Sequence, residues 1–174
     1  MHLAAVTADD LSEIVALINL AYRGRGDDAG WATENKYIEG ERTTIGDLQK
    51  DLADRPQALF LMWRDESNDK LLGSVWLEPA KQGAWYLGLL NVRPDLQRRQ
   101  LGRRLLEAAE ERARAEGAER IRISVVNVRD QLIAWYQRRG YVLTGERQPF
   151  PYGDERFGRP LREDLEFVFL EKPV

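Results

Sequence analysis

The chain has no cysteine and a single histidine, His2, in 174 residues. Without cysteine it can build no disulfide framework, no thiolate metal site and no cysteine nucleophile. One histidine near an end leaves neither a Ser-His triad nor a histidine zinc site, so no bound metal is expected. No apolar run is long enough to cross a bilayer and no stretch reads as a signal segment, so no membrane partner is expected and the cytoplasm is the expected setting. An excess of positive charge is missing too. The net charge is −3, which gives no global polycation for nucleic acid. The two arginine-bearing stretches that would have to form a nucleic-acid patch, Arg93 to Arg104 and Arg112 to Arg122, are interleaved with Glu107, Glu110, Glu111 and Glu116.

What is present suits one folded domain over residues 1–174. Hydrophobic residues make up 43% and charged residues 32%, an ordinary globular balance with enough chain for a core. A short strand is expected at His2 to Val6, then a capped helix with Leu11, Ile14, Val15, Ile18 and Tyr22 at helical spacing. The segment Gly24 to Gly30 reads as a loop and Ile45 to Ala53 as a second helix. Strands follow at Ala58 to Arg64, Leu71 to Leu77 and Ala84 to Val92. A helix over Leu101 to Glu116 carries Leu101, Leu105, Ala109 and Ala113 at steps of four, with Gly117 as its stop. Ile121 to Val126 is expected as a strand, Asp130 to Arg139 as a helix, Tyr141 to Thr144 as a strand. A loop from Gln148 to Pro160 leads to a last strand at Leu165 to Leu170. This is a mixed α/β order.

The most informative stretch is LGLLNVRPDLQRRQLGRRLLEAAEERARA, from Leu87 to Ala115. It reads as a strand, a Pro-marked turn, an arginine-rich loop and a long amphipathic helix. The first amides of such a helix lack carbonyl partners, and with the helix dipole they form an anion site. Arg93, Arg98, Arg99, Arg103 and Arg104 crowd the same turn. A phosphate-bearing ligand is the natural guest. The loop has neither the lysine and glycines of a P-loop nor the three-glycine dinucleotide fingerprint.

This stretch resembles the signature of the GNAT superfamily of acyl-CoA N-acyltransferases, a V-x-P turn followed by Q/R-x-x-G-x-G/A at a helix start. Val92, Pro94, Gln97 and Gly102 fall in register, followed by Leu105 and Leu106; Gln100 replaces the first glycine. A second block, IRISVVNVRDQLIAWYQRRGYVLTG, resembles the downstream half of the family through Asn127, Tyr136, Gly140 and Tyr141. The resemblance implies a single α/β domain with a mostly antiparallel central sheet and flanking helices. It implies acetyl-CoA as co-substrate, held by the backbone of Leu90, Asn91 and Val92 and by Gln97, Arg98, Arg99, Gln100, Leu101, Gly102 and Arg103, with Asn127 and Tyr136 beyond. A side chain at Gln100 is accommodated if the backbone there does not need positive φ. The resemblance also makes Tyr136 the acid for a departing thiolate. Taken alone, Tyr136 reads as core packing and Asn127 as a turn or helix cap.

Transfer to a primary amine needs a neutral amine, a donor for the acyl oxygen and an acid for the sulfur. Where some family members place a glutamate, eleven residues before the signature Gln, this chain has Tyr86, so no general base is evident; Glu78 on the preceding hairpin and a water chain to the surface are the substitutes left open. The acceptor is expected to be the primary amine of a small molecule. Trp31 and Glu34 are expected beside it, with Tyr37, Arg42, Phe150, Tyr152 and Phe157 in the same segments, and Glu78 beside it or as a solvated strand-end carboxylate. Aromatic rings with carboxylates can hold an amine, or they can simply anchor loops. A protein or peptide N-acetyltransferase and a CoA-binding module without catalysis are the other readings. A homodimer is left open.

Overall fold

Alternation along one strand divides the molecule into two apolar layers. In β3 (Leu59–Arg64), Leu61 and Trp63 enter one buried cluster, while Phe60 and Met62 enter another. The second cluster is closed by α1 (Leu11–Arg23), through Ile14, Leu17 and Ile18, and by α2 (Ile45–Asp54), through Leu48. The first is closed by α3 (Leu101–Ala115), through Leu105, Leu106 and Ala109. Successive strand side chains face opposite ways, so helices on both faces cover one sheet. The computed structural model describes residues 2–24 and 30–174, with the side chains of 97–99 outside the description; most of the expected Gly24 to Gly30 loop therefore lies outside the described residues.

The remaining strands are β1 (Leu3–Ala5), β2 (Ile38–Glu39), β4 (Leu71–Pro79), β5 (Ala84–Val92), β6 (Arg120–Val126), β7 (Val142–Pro149), β8 (Arg159–Pro160) and β9 (Glu166–Pro173), with α4 (Asp130–Gln137) between β6 and β7. Seven strands form one sheet in the order β1-β3-β4-β5-β6-β9-β7, and β2 pairs with β8 apart from it. Every neighbouring pair is antiparallel except β5 and β6, whose connection runs through α3. The expected mostly antiparallel sheet with flanking helices is the sheet observed.

Two details position the site. First, β5 and β6 pair only at Ala84–Arg120, Trp85–Ile121 and Tyr86–Arg122, whereas β6 pairs with β9 along its whole length. Beyond Tyr86 the two strands part, and the sheet forks. Second, Ser74 faces Asn91 and Trp76 faces Gly88, so Leu89 and Leu90 together oppose Val75 as a β-bulge, with Leu89 at φ 48°. A bulge bends its strand and takes a backbone group out of the ladder. Close packing fixes α3 beside it: a Cβ on Gly73 would lie 2.5 Å from the Asn91 carbonyl oxygen and 3.0 Å from Leu105. At the other end, Glu110 on α3 accepts from the Tyr141 hydroxyl at 2.9 Å and from Lys172 Nζ at 2.7 Å, tying α3 to the chain after α4 and to β9.

The structure departs from the sequence expectations mainly after residue 140 and around 38. β7 runs on to Pro149, well past Thr144, and two-residue β2 and β8 pair where loops are expected. Strands of two residues carry no readable period. Their pairing rests on Gly158, at φ 89°, where a Cβ would lie 2.5 Å from the Glu39 carbonyl oxygen.

Candidate active site

The fork between β5 and β6 opens into a cleft of about 770 Å³. One wall is β5 from Tyr86 to Val92 and the other is β6 from Ile123 to Val126. At the closed end of the fork the Tyr86 hydroxyl and Ser124 Oγ are 2.8 Å apart. The bulge residues Leu89 and Leu90 line the cleft, as do Asn91 and Val92. Asn91 is buried; its Nδ2 donates to the Leu89 carbonyl at 2.7 Å and to Ser74 Oγ at 2.8 Å, and its Oδ1 has no partner.

The α3 N-terminus stands at one mouth of the cleft, where Gln100, Gly102 and Arg103 line it. The Arg104 amide donates to the Gln100 carbonyl at 3.1 Å, so the amides of Leu101, Gly102 and Arg103 have no acceptor within the helix. Gln100 adopts φ 60° and ψ 17°, the left-handed conformation, so the backbone here does require positive φ, contrary to the condition set for this position. The residues Pro94–Arg99 before it form a 3-10 turn, and the side chains of Gln97, Arg98 and Arg99 lie outside the description. A left-handed L-residue costs roughly 1–2 kcal/mol, and glycine gives back roughly 0.5–1 kcal/mol of that through unfolded-state entropy. Gln100→Gly is therefore expected to leave urea stability unchanged or raise it by up to about 1 kcal/mol, whereas a β-branched Gln100→Val lowers it; a clear loss with glycine would contradict the strain.

Arg139, which the sequence did not single out, lies beside this helix end. Its guanidinium sits 3.7 Å over the Trp135 ring and its Nη1 donates to the Trp135 carbonyl at 2.7 Å, while its Nε is buried without a partner. Burial, with Arg138 and Arg103 nearby, depresses its pKa. Arg103 pairs with Glu107 at 2.8 Å on the exposed helix face. Free amides, two arginines and unpartnered buried polar atoms suit the pyrophosphate and amides of coenzyme A.

Tyr136 lies on α4 with its ring edge-on to Trp135 at 4.9 Å and to Tyr141 at 5.4 Å. It lines the cleft, and its hydroxyl makes no hydrogen bond among the described residues. Burial pushes its pKa well above the ordinary tyrosine value, so the phenol stays protonated.

The opposite mouth is built by the end of α1, the 31–42 segment and the loop before β8. Trp31 and Glu34 both line the cleft, with Trp31 6.3 Å from Trp135. Glu34 is not open to an amine, however. Its two oxygens are taken by Arg23 and Arg129, each at 2.5 Å, and all three side chains are under 10% exposed. Burial alone would raise the Glu34 pKa; Arg129 and Arg23 outweigh it and hold the carboxyl below its ordinary range. The expectation that this carboxylate holds a cationic amine gives way to a buried ion triad.

Two residues expected at the site stand elsewhere. Glu78 is not on the cleft wall; it accepts from Trp76 Nε1 at 3.1 Å and pairs with Arg55 at 3.2 Å. Asn127 has its side chain engaged by backbone, donating to the Asp164 carbonyl at 2.9 Å and accepting from the Glu166 amide at 3.0 Å, which pins the end of β6 to β9. Leu101 contributes its amide; its side chain is in the core. The sequence missed Arg23, Arg129 and Arg139. Arg23 ends α1, Arg129 precedes α4 and Arg139 follows it, and nothing in chain order brings them to one cleft.

A family model described as the acetyltransferase (GNAT) family matches residues 30–141. No curated protein sequence matches the chain significantly. Among solved structures, a ribosomal-protein-alanine N-acetyltransferase from Brucella melitensis superposes with a TM-score of 0.70 at 18% identity, covering 100% of both chains. A spermidine N-acetyltransferase variant from Vibrio cholerae gives 0.68 at 14% identity over 99% of this chain and 95% of that one. An acetyltransferase from Bacillus subtilis, solved in complex with CoA, gives 0.61 at 18% identity over 99% and 97% of the two chains.

Proposed function

This chain belongs to the GNAT acetyltransferase family, and from that premise we propose that it moves an acetyl group from acetyl-CoA to the primary amine of a small molecule by direct attack, with both substrates bound. The observation that carries this reading is the forked sheet, with helix amides that lack an intrahelical acceptor at one mouth and, among the described residues, a tyrosine hydroxyl without a partner on its wall. Acetyl-CoA supplies the activated thioester: the amine nitrogen bonds to the acyl carbon, the C–S bond breaks, the amine loses a proton and the sulfur gains one.

The amides of Leu101, Gly102 and Arg103, with Arg103 and Arg139, bind the pyrophosphate. Unpaired backbone at the Leu89–Leu90 bulge donates to the acyl oxygen, where negative charge grows during attack. Tyr136 holds the sulfur and supplies its proton. Its raised pKa keeps that proton in place until a thiolate forms beside it. No base with a free carboxylate lines the cleft among the described residues, since Glu34 is the one acidic side chain there and both its oxygens are paired. The amine therefore enters neutral or passes its proton out through the Tyr86 and Ser124 hydroxyls and water.

Calorimetry with CoA and with dephospho-CoA tests the cofactor half of this reading. Charge-assisted hydrogen bonds are worth roughly 1.5–3 kcal/mol, so Arg139→Gln is expected to weaken CoA binding by about ten- to a hundredfold. Absence of heat with either ligand, in folded protein, removes the acetyl-CoA assignment.

A further inference from the structure

The acceptor mouth of the cleft carries more positive than negative side chains, and one of its arginines forms no ion pair among the described residues. Arg23, Arg42 and Arg129 line this side against a single carboxylate, that of Glu34. Arg23 and Arg129 are both committed: besides Glu34, Arg23 donates to the Phe157 carbonyl at 2.9 Å and Arg129 to the Ala32 carbonyl. Arg42 differs. Its guanidinium carbon lies 5.4 Å from the Tyr22 ring centroid and 5.5 Å from that of Phe157, and no carboxylate pairs with it among the described residues. Its main-chain amide donates to Asn19 Oδ1 at 2.6 Å, which anchors the backbone without using the fork. Two aromatic contacts hold the guanidinium while leaving its donors free, an arrangement suited to bidentate capture of a planar anion.

We propose that the acceptor is an amino carboxylate whose carboxylate is bound by Arg42 and whose apolar body lies along Ile38, Phe150, Phe157 and Phe167. These four side chains line the cleft and belong to one apolar cluster, in which Ile38 and Phe150 are buried. The buried Arg23–Glu34–Arg129 triad, with one more positive than negative charge, backs the same binding place. A net excess of two positive charges on this side repels a polyamine or a lysine-rich peptide and attracts an anion. A free amino acid with an apolar side chain satisfies both features: its carboxylate meets the arginine, and its amine is the nucleophile. The proposal rests on the acetyltransferase reading and names the acceptor class for the same site.

The test uses free methionine, leucine and phenylalanine, each paired with its α-carboxamide, together with spermidine and short alanyl peptides. Binding is read by ligand-observed NMR in the presence of saturating CoA, and turnover by thiol release with acetyl-CoA. The expected result is at least one amino acid that binds tenfold or more tightly than its carboxamide, the same order being kept in kcat/KM. Arg42→Gln should remove that preference, weakening the amino acid by about ten- to a hundredfold and leaving the carboxamide within about twofold. Arg42→Lys, which keeps the charge but loses the fork, should fall between. An unchanged melting temperature in Arg42→Lys shows that the loss is not misfolding. Carboxamides, peptides or spermidine equal to or better than every amino acid overturn the proposal, as does an equal effect of Arg42→Gln on acid and amide. If CoA itself fails to bind in calorimetry, it is the acetyltransferase reading that has fallen, and the acceptor proposal falls with it.

Discussion

Replacing Tyr136 with phenylalanine is expected to lower kcat by about 10²–10⁴-fold while leaving KM for acetyl-CoA nearly unchanged, the range typical of losing a general acid. The phenyl ring keeps the edge-on contacts with Trp135 and Tyr141, so the melting temperature should hold and only the hydroxyl is lost. Burial raises the Tyr136 pKa above the ordinary tyrosine value of 10.0, so in wild-type enzyme its ionisation should cause no fall in rate below about pH 10. The rate should instead climb with pH as the acceptor amine becomes neutral. Steady-state kinetics of both proteins across pH 6–10 checks these points together. A loss of less than about threefold would return Tyr136 to a packing role.

The second large effect concerns stability. Glu34→Gln leaves Arg23 and Arg129 facing each other in a buried place without their shared anion. Removing one partner of a buried ion cluster costs about 3–5 kcal/mol, which for a chain of this size lowers the melting temperature by roughly 6–20 °C. The pH dependence has a definite sign. The folded-state pKa of Glu34 lies below its ordinary value of 4.5, so the unfolded chain takes up the proton first as pH falls. Its stabilisation is complete above about pH 4.5 and is lost as the pH drops through the folded value. The gap between wild type and variant in urea denaturation should therefore be widest near neutrality and close on acidification below that point. Equal stability at pH 7 would mean that the triad is not the clasp its geometry describes. Because Arg23 also holds the Phe157 carbonyl and Arg129 that of Ala32, the same substitution should loosen the acceptor mouth.

The two stability predictions, at Gln100 and Glu34, concern residues that local sequence reading treated differently from the folded protein. At Gln100 a side chain in a glycine position fits the sequence reading only on the condition of ordinary backbone; the join between the 3-10 turn and α3 is left-handed instead, and the chain carries the strain. At Glu34 a carboxylate in a segment with aromatics suggested a cation site or a loop anchor. The two arginines that claim it lie 11 and 95 residues away in sequence, beyond the reach of any local pattern.

By itself the sequence determined the order of helices and long strands, because Ala84 to Val92 is a short apolar run of strand length and a helical period survives in Leu101 to Ala115. It also determined a helix start with amides to spare, because the amides of a first turn lack intrahelical partners whatever surrounds them. Tertiary structure alone decided the rest. The fork arises because β5 leaves β6 after three pairs while the other edge of β6 stays on β9 along its whole length, pairings between strands distant in the chain. The charge of the acceptor mouth was equally hidden: ion pairing depends on distance in space, and α1, the 31–42 segment, α4's first turn and Phe157 meet only once the sheet has formed.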